Sequence, residues 1–214
     1  MPFNTTELNN FLGATTITHI GIGNLTDPGT GTNYAGTEAT GGSPAYARQA
    51  VTWGTAASGL RTGSSGILTF DVPAGTYGFF LYFNASTGNT GNFRGYAPFG
   101  GATALKGFAS TDPTLTNDTF FSVAHGMADG DRVQLFNVFA ETIPGGITEG
   151  TVYFVVNSAT NSFKVSTTSG GAAVDVTALN GGEVYWQRVV PETYNSQGQI
   201  TVAANALVLD GTAI

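Results

Sequence analysis

Apolar and polar residues alternate with a period of two along most of this chain. That spacing turns one face of a strand inward and the other outward. The clearest case is "GILTFDV", in which Ile67, Thr69 and Asp71 lie on one face and Leu68, Phe70 and Val72 on the other. Strands are predicted over residues 17–22, 48–55, 67–72, 77–84 and 92–99. The run over 77–84, "YGFFLYFN", is apolar on both faces, so it belongs at the centre of a sheet, covered on both sides. Pro73 and Gly75 in "VPAGT" supply the turn before it. The N-terminus departs from this pattern. There Asn4 is a cap, Glu7 sits at capping-box spacing, Leu8, Phe11 and Leu12 share one face, and Gly13 ends a short helix.

From about residue 111 charges become more frequent and hairpins more compact. Strands are predicted over 120–124, 132–136, 152–157, 163–166, 174–176 and 184–189, with "NSATNS" as a tight turn between two of them. After Pro191, "GQITVAANALVLDG" returns to the first style. The predicted organisation is one β domain, residues 1–104 plus 189–214, interrupted by a small all-β domain over 105–188. A loop tip accepts such an insertion, because the inserted domain's ends lie close together. The expected fold class is all-β. It comprises a β-sandwich of immunoglobulin-like or jelly-roll-like kind, with one short N-terminal helix and the inserted domain. No fixed-period repeat marks a solenoid or propeller.

Composition narrows the function. Only 10% of residues are charged, against the quarter or so usual in soluble domains, and the net charge is -7. The remaining polarity comes from Thr, Asn, Ser and Gly, which are cheaper to desolvate than Lys and suit a surface that packs on neighbours. The negative balance argues against nucleic acid as a partner, since no basic patch can release counterions. The longest apolar run is strand-sized, so no membrane span is expected. "MPFNTTELNN" has no basic stretch leading an apolar one, so no signal peptide is expected. With no Cys there is neither a disulfide framework nor a thiolate metal site.

Catalytic patterns are sparse. His19 alternates with Ile17 and Gly21, which suits half-buried packing; His125, before Gly126, suits a strand end where imidazole caps a turn. Neither has companions at metal-ligand spacing. Asp129-Gly130 reads as a hairpin turn rather than a calcium loop, with Asp131 and Arg132 paired at the surface. Asp71, Glu141, Glu149, Asp175 and Glu183 sit in turns or at strand edges without a signature that selects a catalytic pair. "GTGTNYAG" and "GNTGNFRG" do not run from strand to helix, so they are not phosphate loops. No catalytic, cofactor-binding or metal-binding residue is expected. Tyr34, Tyr46, Tyr96, Phe99, Tyr185, Trp186 and Tyr194 fall near turns or strand ends. From these, Tyr34, Tyr46, Tyr96, Tyr185 and Trp186 are the candidates for subunit or host contact, with Trp186 equally suited to a core. Residues 26–44 hold few large apolar groups. They are expected to order on a neighbouring subunit, through Tyr34 and Tyr46.

"TDPG" at residues 26–29, "GGSPAYARQAVTW" at 41–53 and "TFDVPAGT" at 69–76 resemble a family of small virion proteins of long-tailed bacteriophages, the minor tail or tail-fibre-like proteins. "ETYNSQGQITVAANALVLD" resembles that family's last two strands. "TFFSVAHGMADGDRV" and "GTVYFVVNSATNSFKVS" are similar to a module found in phage structural proteins. The resemblance implies a non-enzymatic virion protein of tail-tip or fibre type. It implies assembly with copies of itself, as a trimer, and with other tail or capsid proteins. A glycan or protein of the host surface is a further partner class. A capsid decoration protein is the alternative within the virion. Loop aromatics and scattered carboxylates motivate an alternative of another class, a carbohydrate-binding module or glycan hydrolase.

Overall fold

The computed structural model describes residues 16–29, 31–100, 105–138, 142–179 and 182–210. The expected helix near Asn4 lies outside them. The described residues form strands, bridges and turns, and the fold is all-β. The chain divides into two compact units. The first is Met1–Asn24, Gly29–Tyr96 and Thr193–Ile214; the second is Leu25–Pro28 and Ala97–Glu192.

The first unit holds a four-stranded sheet in the order β2-β1-β6-β7. These strands are β1 (His19–Gly23), β2 (Gln49–Ala50), β6 (Phe79–Phe83) and β7 (Phe93–Pro98). Three two-stranded ribbons accompany it. In them β3 (Leu60–Gly63) pairs with β16 (Leu207–Asp210), β4 (Leu68–Val72) with β15 (Gly198–Val202), and β5 (Gly75–Tyr77) with β14 (Glu192–Tyr194). The core holds Ile20, Ile22, Phe70, Val72, Phe79, Leu81, Phe83 and Phe93. The apolar run over 77–84 is two strands, not one. Gly78 separates β5 from β6, and its amide bonds the carbonyl of Gly23. β6 is central in its sheet, but Phe80 and Tyr82 on its second face are only half-buried.

Residues 48–55 do not form one continuous strand. Gln49 and Ala50 pair with β1, while Trp53 bridges Gly63 and the Gly54 amide bonds the Thr62 carbonyl at 2.8 Å. The segment thus turns from one set of partners to another, and Trp53 Nε1 fixes the corner by donating to the Ile17 carbonyl at 2.8 Å. Residues 32–39 make backbone and side-chain bonds within their own unit. The Asn24 amide bonds the Thr37 carbonyl and the Ala39 amide the Ile22 carbonyl, each at 2.9 Å, and Gly91 donates to Asn33 Oδ1 at 2.7 Å. Tyr34 is buried, its ring centre 5.3 Å from Phe93 and 5.9 Å from Phe83. Backbone pairing and one aromatic anchor offset part of the entropy of ordering this Gly- and Thr-rich loop.

The second unit is a closed barrel in the order β10-β11-β12-β9-β8-β13. Its strands are β8 (Lys106–Thr111), β9 (Phe120–Phe121), β10 (Arg132–Asn137), β11 (Val152–Ala159), β12 (Ser162–Ser166) and β13 (Glu183–Val189). The pairings around it are antiparallel, and the two-residue β9 closes it by pairing with one end of β8 and one end of β12. "NSATNS" is the hairpin between β11 and β12, with a register shift between Val156 and Ala159. Val133, Leu135, Val155, Phe120, Phe163 and Trp186 fill the interior. Residues 174–176 are not a strand. They run beside β12 through a Val174 amide bond to Val165, and Val176 enters the core.

Candidate functional site

The Tyr46-Ala47-Arg48 segment of the first unit forms a buried ionic clamp. Arg48 meets Glu38 through two bonds, Nε to Oε1 at 2.8 Å and Nη2 to Oε2 at 2.7 Å. Their side chains are 4% and 11% exposed. The other guanidinium donors are also used: Nη1 reaches the carbonyls of Ala85 at 3.1 Å and Gly88 at 2.9 Å, and Nη2 reaches Asn89 Oδ1 at 2.7 Å. Arg48 Cζ lies 3.3 Å from the centre of the Phe83 ring, a cation–π contact. Tyr46 donates its hydroxyl proton to Glu38 Oε1 and accepts the Ile22 amide, both at 2.8 Å. Burial first, and then the Glu38 charge, hold that hydroxyl far above the ordinary phenol range. Gly21 makes the room, since a Cβ there would stand 2.7 Å from Glu38 Oε1. A guanidinium satisfied on every side has no donor left for a ligand, so this clamp holds the loop to the sheet.

His19 is half-buried on β1, with Nδ1 2.9 Å from Thr18 Oγ1. Burial, and second the Arg48 charge, lower its pKa. The folded state therefore disfavours imidazolium relative to the unfolded chain. Its contribution is intact above the unfolded value of about 6.5 and is lost as pH falls below it toward the lower folded value. Unfolding by urea at successive pH values is expected to show stability falling across that window, and His19→Gln is expected to flatten the fall. An unchanged slope in the variant would assign the fall to other groups.

His125 caps a turn, as its sequence position suggested. Its Nε2 lies 2.7 Å from the Ala159 carbonyl and 3.1 Å from that of Ser162, while Nδ1 accepts the Met127 amide at 3.1 Å. These partners assign the proton to Nε2. The Ala128–Asp131 turn is closed by an amide–carbonyl bond of 3.0 Å, with Gly130 at φ 90, and Asp129 Oδ1 accepts the Ser158 amide at 2.7 Å. Asp131 pairs not with Arg132 but with Arg188, at 2.7 Å. Arg132 instead lies over the Phe154 ring, its Cζ 5.0 Å from the centre. Among the described residues no group of three or more His, Asp or Glu could hold a metal ion. The candidate carboxylates stay apart in role: Asp71 accepts Gln199 Nε2 at 2.8 Å, Glu149 accepts the Asn137 amide at 3.2 Å, and Asp175 and Glu183 are exposed. Glu141 lies outside the described residues.

The outer face of the barrel differs from the rest of the surface. Register sets Phe108 on β8 beside Tyr185 on β13, and Tyr185 beside Phe136 on β10. The ring centres are 5.6 Å and 6.2 Å apart. Phe108 is 60% exposed, and Phe121 and Val123 nearby are 46% and 85% exposed. With Lys106, Ser110 and Glu183 these residues line a shallow cleft of 530 Å³. Trp186 and Ser122 also line it, joined by a bond from Nε1 to Oγ at 3.0 Å.

Of the five contact candidates, only Tyr185 stands in this face. Tyr34 and Trp186 are core residues, 7% and 2% exposed; for Trp186 this is the core role weighed equally with contact. Tyr46 belongs to the clamp, and Tyr96 is half-buried, edge-on to Phe79 with ring centres 5.2 Å apart. Sequence reasoning passed over Phe108 and Phe121. The signal was present in "KGFAST", where Phe108 shares a strand face with Lys106 and Ser110 rather than with apolar residues. No protein family, curated protein or solved structure matches the chain.

Proposed function

We propose that this chain is a non-enzymatic structural component of a tailed-phage virion, of tail-tip or fibre type, working in several copies beside other tail proteins. The observation that carries the reading is the Phe108–Tyr185–Phe136 face, an aromatic surface on the outside of a barrel whose interior is already filled. An exposed Phe108 ring beside the half-buried rings of Tyr185 and Phe136, with charge only at the rim, suits contact between proteins. The scarcity of Lys and Glu and the phage-like segments support the same reading. The first unit is read as a β-sandwich, with residues 48–55 as the corner at which the chain leaves one layer for the other.

A gold-labelled antibody against the chain, viewed on intact particles, is expected to mark the tail. Label on the head would replace this reading with a capsid decoration protein. An unlabelled particle, together with retention of the purified chain on host polysaccharide, would replace it with a carbohydrate-binding module.

A further inference from the structure

We infer that the Phe108 face of the barrel is a two-fold interface with a second copy of this chain. Among the described residues, three of the seven exposed large hydrophobics, Phe108, Phe121 and Val123, line this same cleft. Such clustering marks an interaction surface. The order of charges around it selects the occupant. On β8, Lys106, Phe108 and Ser110 point outward at alternate positions. Opposite them on β13 stand Gln187, Tyr185 and Glu183. The face therefore has a cation at one end, two rings in the middle and an anion at the other end, with about 13 Å along the strands between the charges. Lys106 and Glu183 make no ion pair among the described residues.

A two-fold axis crossing the strands at the level of Phe108 reverses that order. It lays Phe108 and Tyr185 on their own counterparts and brings Lys106 level with Glu183 of the partner subunit, twice. The sideways offset is one strand spacing, about 4.8 Å, within the span of a lysine side chain. An axis running along the strands would set Lys106 on Lys106 and Glu183 on Glu183, and is disfavoured. A three-fold ring would need a second, different patch to receive this one. The pattern is self-complementary, and that points to a pair rather than the trimer implied by family resemblance. The inference rests on the several-copies part of the proposed function, not on the tail location.

Sedimentation velocity on the full chain, from low to high micromolar concentration, is the test. Wild type is expected to pair within that range. Phe108→Ser, Lys106→Glu and Glu183→Lys are each expected to weaken pairing at least about tenfold, with unfolding midpoints close to wild type. The double swap of Lys106→Glu with Glu183→Lys is expected to restore most of the lost affinity, because it rebuilds both ion pairs in reverse. A wild-type chain that stays monomeric, a trimer, or a double swap as weak as its parents would overturn the inference. Particle labelling can fail while pairing holds, and the reverse, so the two proposals fall separately.

Discussion

An Arg48→Ala chain is expected to lose about 4 kcal/mol of unfolding free energy, because breaking one side of a buried ion pair strands the other charge. The strand-end guanidinium sits at the centre of five hydrogen bonds, so its loss is felt by several groups at once. Glu38 would keep only the Tyr46 hydroxyl as a described side-chain partner, at 11% exposure, and the carbonyls of Ala85 and Gly88 would lose their donor. Arg48→Lys is expected to recover only part, since an ammonium cannot fill a planar fork. Glu38→Gln keeps shape and one acceptor and is expected to cost about 2 kcal/mol. The informative variant is the pair Arg48→Met with Glu38→Leu. Removing both charges is expected to cost less than removing Arg48 alone, since no buried ion is left unpaired. Urea midpoints at constant m-value measure all four. A loss below about 1 kcal/mol in Arg48→Ala would mean that water solvates Glu38 once the partner is gone.

Gly146→Ala is the second change expected to be severe, by at least about 3 kcal/mol, and Gly170→Ala is its control at about 1 kcal/mol. Both glycines have positive φ, 88 and 65, so both substitutions carry a backbone penalty, the larger one at Gly146, whose φ lies beyond the left-handed region open to other residues. They differ in surroundings. A Cβ on Gly170 meets nothing within 4 Å, whereas one on Gly146 would collide with the backbone carbonyl oxygen of Asp175. That carbonyl cannot move freely. Gly145 exchanges two backbone bonds with residues 177 and 178, at 2.8 and 3.0 Å, and Ile147 and Val176 on either side are anchored in the barrel core. Thermal unfolding of both variants separates the contributions: equal shifts would show that strain alone matters and that the close approach relaxes.

The strands of this protein were legible where alternation was strict. "GILTFDV" and "NSFKVS" gave strands close to their expected bounds, and the hairpin between β11 and β12 fell where its turn residues put it. Alternation failed where the chain changes partners. At residues 48–55 apolar spacing continues through a corner, because Val51 packs beside the four-stranded sheet and Trp53 beside the ribbon of β3 and β16. It failed again at 174–176, where Val176 is a core residue outside any ladder. Site residues were less legible, for a physical reason. An aromatic ring near a turn reads the same whether it points in or out. Tyr34 turned in to pack on Phe93, whereas Phe108, inside a strand, turned out. The Glu38–Arg48 pair spans a turn with no helical or strand period to join its members, so spacing alone could not have matched them.

The ribbon of β4 and β15 also sets an order in time. Asp71 and Gln199 touch across a sequence separation of 128 residues, and among the described residues β4 pairs with β15 alone. During synthesis β4 leaves the ribosome long before its partner exists, and so does β3. The barrel strands all lie between these early and late partners, so the second unit has its complete set of strands first. Domains fold as units during elongation, and long-range pairing is slow. The apolar face of β4, Leu68, Phe70 and Val72, therefore waits, unpaired, for the length of an entire domain's translation. Aggregation in the cell acts on that interval, so a delay anywhere between residues 73 and 198 is expected to lower yield more than the same delay before residue 68.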